Sequence, residues 1–160
     1  MYAFGEDVGQ IGDVNQGFSN LQKKYGEERI HHAYAYRDLL RVSDALPLGT
    51  DFPVEEIDPL NTFYAAVVRK DHEGYPEGGF QMENSLSRED ALRGMTIWAA
   101  YSNFEEDEKG SLERGKWADF TILDTDLLHC AEEEILQAKV LFTVIGGEVV
   151  YKNDKMHSHE

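Results

Sequence analysis

One nine-residue stretch, Leu46-Pro47-Leu48-Gly49-Thr50-Asp51-Phe52-Pro53-Val54, constrains the fold more than any other. It reads as a short buried strand that ends in a carboxylate and then turns. Leu46 and Leu48 are apolar, Gly49 allows close backbone approach, and Pro53 forbids the strand from continuing. An Asp at the carboxyl end of a strand is where barrel enzymes keep their chemistry. Local context equally permits a turn former or a helix cap, so the role of Asp51 depends on the rest of the chain.

The helical signals surround that stretch. Glu27 to about Arg41 is expected to be helical, with Ala33, Tyr36, Leu39 and Leu40 as its apolar stripe. Asp58-Pro59 starts another helix, with Asp as N-cap and Pro at the first helical position. Leu60, Phe63, Tyr64, Val67 and Val68 then recur at the spacing of one buried face. Asp71 to Asn84 is a long loop with four Gly or Pro positions, of the kind that borders sites. Ser87 caps a third helix with Leu92, Met95, Trp98 and Ala99 as its stripe, and Gly94 inside it implies close packing.

From Gly110 the pattern turns to β. Ala118–Asp124 reads as a strand, Ala131–Gln137 as an acidic helical turn, and Lys139–Ile145 and Glu148–Lys152 as strands joined by a Gly146-Gly147 hairpin turn. A short strand at Tyr2-Ala3-Phe4, a helical turn at Ser19–Tyr25 and a disordered tail from Asn153 complete the expectation.

Charge and composition narrow the partners. The 160 residues carry 31 Asp and Glu against 15 Lys and Arg, a formal charge of −16. That field repels phosphate backbones and anionic lipid, so no nucleic-acid or membrane partner is expected. No run is long and apolar enough to span a bilayer, and the start resembles no signal peptide. Together with a single cysteine, Cys130, this points to a reducing, cytoplasmic setting.

The six histidines form no ligand set by spacing. His31 and His32 are about 100° apart on a helix. His157 and His159 fall in the tail, and His72 and His129 have no partners at ligand spacing. GxGxxG, P-loop, GxSxG and CxxC motifs are absent. The acidic runs Glu105–Glu108 and Glu132–Glu134 read as solvated faces.

Three stretches in order resemble the C-terminal part of the amidohydrolase superfamily, in the branch called amidohydrolase family 3, which includes N-substituted formamide deformylases. The first runs from Ala33-Tyr34-Ala35-Tyr36-Arg37-Asp38-Leu39-Leu40 to Gly49-Thr50-Asp51-Phe52-Pro53-Val54-Glu55. The second joins Asp58-Pro59-Leu60 and Tyr64-Ala65-Ala66-Val67 to Glu89-Asp90-Ala91-Leu92-Arg93 and Thr96-Ile97-Trp98-Ala99-Ala100-Tyr101. The third is Gly110-Ser111-Leu112-Glu113-Arg114-Gly115-Lys116-Trp117-Ala118-Asp119-Phe120, closing with Gly146-Gly147-Glu148-Val149-Val150-Tyr151.

The resemblance implies an α/β chain that is the C-terminal fragment of a (β/α)8 TIM barrel, its last strand and helices, plus the C-terminal part of a small β-sandwich. Residues 1–105 would be partial barrel, 106–152 sandwich segment and 153–160 tail. A complete barrel takes about 250 residues.

Asp51 would be the catalytic and metal-contacting aspartate. It would take a proton from a water acidified by a divalent metal, zinc, and deliver it to the departing nitrogen of an amide-type small-molecule substrate. Arg37, Phe52 and Pro53 would border the pocket. The family's other metal ligands find no matching positions, which implies that this chain alone holds no metal and is inactive. Uncovered barrel faces would lead it to homo-oligomerise or pack against the missing segments. A non-catalytic acidic protein-interaction domain is the alternative.

Overall fold

The computed structural model describes residues 35–154. The expected elements at Tyr2–Phe4 and Ser19–Tyr25, the beginning of the Glu27–Arg41 helix, and His31, His32, His157 and His159 lie outside those residues.

Helix α1 spans Tyr36–Val42. Tyr36 and Leu40 pack against the core, while Leu39, expected in the same stripe, faces solvent. Helix α2, Pro59–Val67, begins where Asp58 and Pro59 dictate: the Asp58 side chain accepts a hydrogen bond from Leu60 N at 3.0 Å. That bond satisfies one of the donors a helix start leaves open. Its stripe is buried as the spacing requires, with Phe63 and Val68 wholly inside.

The third expected helix is two. Helix α3, Arg88–Gly94, is capped by Ser87 Oγ, which accepts from Asp90 N at 3.0 Å. Helix α4 covers Ile97–Ser102. Thr96 separates them; its hydroxyl donates to Leu92 O at 2.7 Å, a side chain to backbone bond that competes with helix continuation. Leu92 is 37% exposed, so the expected four-residue stripe is not continuous.

The core joins α2, Leu86 and Ala91 to Leu127, Ile135 and Ala138. The last three flank or belong to the short helix α5, Glu132–Ile135, so the crossover between the first two strands is packed on the helices. Arg88 Nη1 donates to Leu127 O at 2.7 Å and Lys70 pairs with Glu132 at 3.1 Å, both across this seam.

Strands β1 (Phe120–Leu123), β2 (Val140–Ile145) and β3 (Glu148–Lys152) form a three-stranded antiparallel sheet in the order β1-β2-β3. Gly146 and Gly147 both have positive φ, 59° and 83°, the geometry that a two-residue hairpin turn needs. Asn153, expected in a disordered tail, is held by a bond from its N–H to Leu141 O at 2.9 Å.

The Leu46–Thr50 segment is extended but forms no strand; no ladder partner lies beside it among the described residues. Its backbone link is Leu48 N to Gly94 O at 3.0 Å, a helix end and not a strand. Gly94 permits this approach: a Cβ there would stand 2.7 Å from Leu48 Cγ and 2.9 Å from Leu46 O.

Candidate functional site

The extended segment delivers Asp51 to a turn. Its φ is +53°, and Val54 N donates to its carbonyl at 2.8 Å. A non-glycine residue in the left-handed region costs roughly 1–2 kcal/mol relative to ordinary backbone. Aspartate is among the residues that tolerate it best. The turn leaves Asp51 on the wall of a cleft of about 720 Å³.

Four parts of the chain build that cleft, α1 contributing Tyr36. The 49–56 turn contributes Thr50, Asp51, Glu55 and Glu56; α2 and its end contribute Asn61, Tyr64, Arg69 and Lys70; the long loop contributes Asp71, His72, Glu73 and Phe80. The loop is internally bonded. Asp71 Oδ1 accepts from Glu73 N at 2.9 Å and from Tyr75 N at 2.8 Å, and Asp71 N donates to Tyr75 O at 2.8 Å. His72 meets Tyr64 edge to face, centroids 6.3 Å apart.

Of the residues singled out from the sequence, Asp51 and the long loop line the cleft. Arg37, Phe52 and Pro53 are exposed and do not line it. Arg37 lies on α1, while Phe52 and Pro53 follow Asp51 in the turn and face solvent. Cys130 lies within 3.5 Å of Arg88 Nη1, across the seam and away from the cleft lining. His129 pairs with Asp126 at 2.9 Å on the surface, and that hydrogen bond holds the Asp126 carboxyl below its ordinary value.

Arg69 is the cleft residue that sequence reasoning passed over. It is 6% exposed, has φ +56° and lies beside the rings of Tyr36 and Phe80. No sequence signal marked its burial, since an arginine that follows an apolar helical stripe is ordinarily exposed.

A resident metal ion is a separate question. Among the described residues no three His, Cys, Asp or Glu side chains come together as a metal-holding group. The cleft offers carboxylates of the right hardness for a divalent cation, but a hydrolytic site needs three protein ligands and an open position. The described residues alone do not fit one.

The sequence model of the Amidohydrolase family, amidohydrolase family 3, matches residues 10–151. This chain belongs to that family. It is 36% identical over 137 residues to the Arabidopsis thaliana protein named LONG AFTER FAR-RED 3, covering 82% of this chain and 22% of that one. It is 30% identical over 128 residues to the N-substituted formamide deformylase of Arthrobacter pascens, covering 79% of this chain and 23% of the enzyme. Among solved structures, an uncharacterized metal-dependent hydrolase from Pyrococcus horikoshii OT3 superposes with a TM-score of 0.57 at 33% identity, over 71% of this chain and 23% of that one. The chain thus spans less than a quarter of the length of these relatives.

Proposed function

We propose that this chain forms one wall of the active site of a metal-dependent hydrolase that cleaves carbon–nitrogen bonds other than peptide bonds. In this reading Leu46–Thr50 is the last strand of a (β/α)8 barrel whose neighbours come from elsewhere in the parent protein, and β1–β3 are the C-terminal share of a small β-sandwich. Residues 1–105 and 106–152 are the corresponding parts. A divalent metal, zinc by this reading, is held mainly by groups outside the described residues. The segment alone is inactive, and the parent acts in a reducing, cytoplasmic setting.

One observation carries the proposal: Asp51, at the end of the extended segment, is held by a left-handed turn on the wall of the cleft. Its carboxylate can accept the proton of an attacking water and return it to the departing nitrogen, which otherwise leaves as a poor anion. Two further observations agree with it: the family match and a relative named for the hydrolysis of N-substituted formamides.

The test is Asp51→Asn in the protein that carries this segment, assayed against a panel of N-substituted formamides with metal content measured alongside. Loss of a general acid–base group lowers kcat by about 10²–10⁴-fold, with the far-UV spectrum unchanged. Undiminished turnover in the variant would refute the assignment.

A further inference from the structure

The bonds around Arg69 tie the long loop to the cleft. Arg69 Nε donates to Phe80 O at 2.6 Å, and Phe80 N donates to Arg69 O at 2.7 Å. The guanidinium carbon lies 5.5 Å from the Phe80 ring centroid and 5.7 Å from that of Tyr36. One side-chain bond and one backbone bond therefore tie the end of the loop at Phe80 back to Arg69, just before its start, and the ring contact with Tyr36 joins the Arg69 side chain to α1. Asp51 and Arg69, two of the four non-glycine residues with positive φ among the described residues, line the same cleft, and a third, Gln81, directly follows Phe80. Backbone in sparsely populated regions persists only where its surroundings over-determine it. Here a two-way hydrogen bond and two ring contacts do so for Arg69.

We infer that Arg69 is a positioning residue: it holds the Asp71–Phe80 loop as a rigid wall of the cleft and thereby sets which nitrogen substituents the site admits. The inference rests on the hydrolase reading for its substrate half and on geometry alone for its hold on the loop. A planar guanidinium can donate in its own plane while rings lie beside its faces. A lysine ammonium carries the charge without that plane, so charge and shape are separable.

The experiment uses Arg69→Lys and Arg69→Met in the protein that carries this segment. Amide hydrogen exchange is followed over residues 71–80, and formanilide is compared with N-methylformamide as substrate. Both variants are expected to speed exchange across the loop about tenfold or more while leaving α2 and the sheet unchanged. The KM for formanilide rises about fivefold or more, with kcat within about threefold and the N-methyl substrate little affected, because binding and not the proton transfer is altered.

Wild-type behaviour in Arg69→Lys, unchanged loop exchange, or a loosened loop with unchanged KM would each overturn the inference. If both variants fail to fold, Phe80→Ala, which removes one of the two rings beside the guanidinium and keeps Arg69, must speed exchange over residues 71–79 for the inference to stand. A wild-type protein that turns over neither amide defeats the hydrolase reading. The exchange measurement then still decides whether Arg69 holds the loop.

Discussion

Asp124 illustrates how much a single exposed carboxylate does at this fold's surface. Its Oδ1 accepts from Lys139 N at 2.8 Å and from the Thr125 hydroxyl at 2.8 Å, closing the base of the β1–β2 crossover. Those bonds, the Lys139 backbone N–H first among them, hold its carboxyl below the ordinary 3.8. A depressed folded value means the folded state favours the charged form. The stabilisation is therefore complete above the unfolded value and disappears as pH falls through the folded one. Asp124→Asn is expected to flatten the acid limb of a melting-temperature profile taken from about pH 6 down to about pH 2.5; a parallel limb would show that the bonds add nothing. Asp51 is a different case. The sequence named it and the left-handed turn places it on the cleft, yet nothing local distinguished it from a turn former. Arg69 was invisible for a related reason: its value lies in contacts with Tyr36 and Phe80, distant in sequence and brought together only by folding.

At the scale of elements, local rules decided most outcomes and close packing decided the rest. Asp58-Pro59 and Ser87 start their helices because cap and first-turn chemistry act within four residues. The Gly146-Gly147 hairpin follows from a two-residue turn that needs positive φ. The Thr96 break was not legible, because a hydroxyl bonding to the preceding turn competes with a pattern that otherwise reads as continuous helix. The strand expected to run from Leu46 to Asp51 has no ladder partner among the described residues, and a strand exists only beside a neighbour; the backbone contact it makes there is Leu48 N to Gly94 O. Gly94→Ala tests that contact. A Cβ placed against Leu48 Cγ and Leu46 O should cost about 1–3 kcal/mol as overpacking and lower the thermal midpoint. An unchanged midpoint would mean the extended segment moves aside freely.

Over the whole molecule, much apolar surface remains in water. Val42, Phe104, Leu112, Trp117, Val149 and Val150 are all exposed, and β3 shows no buried residue. If the part-barrel reading is right, the 160-residue chain expressed alone should elute above monomer size and bind a hydrophobic dye. A dye-silent monomer would count against it. No helix among the described residues is long and apolar enough to cross a membrane. The sequence by itself determined the starts of α2 and α3, the hairpin, the buried face of α2 and the family, because capping, turn geometry and periodicity are short-range properties. Tertiary structure alone decided that α5 packs on α2, that Gly94 receives the extended segment, and that Asp51, Arg69 and the long loop share one cleft. Those depend on contacts between residues far apart in the chain, whose energies no local pattern encodes.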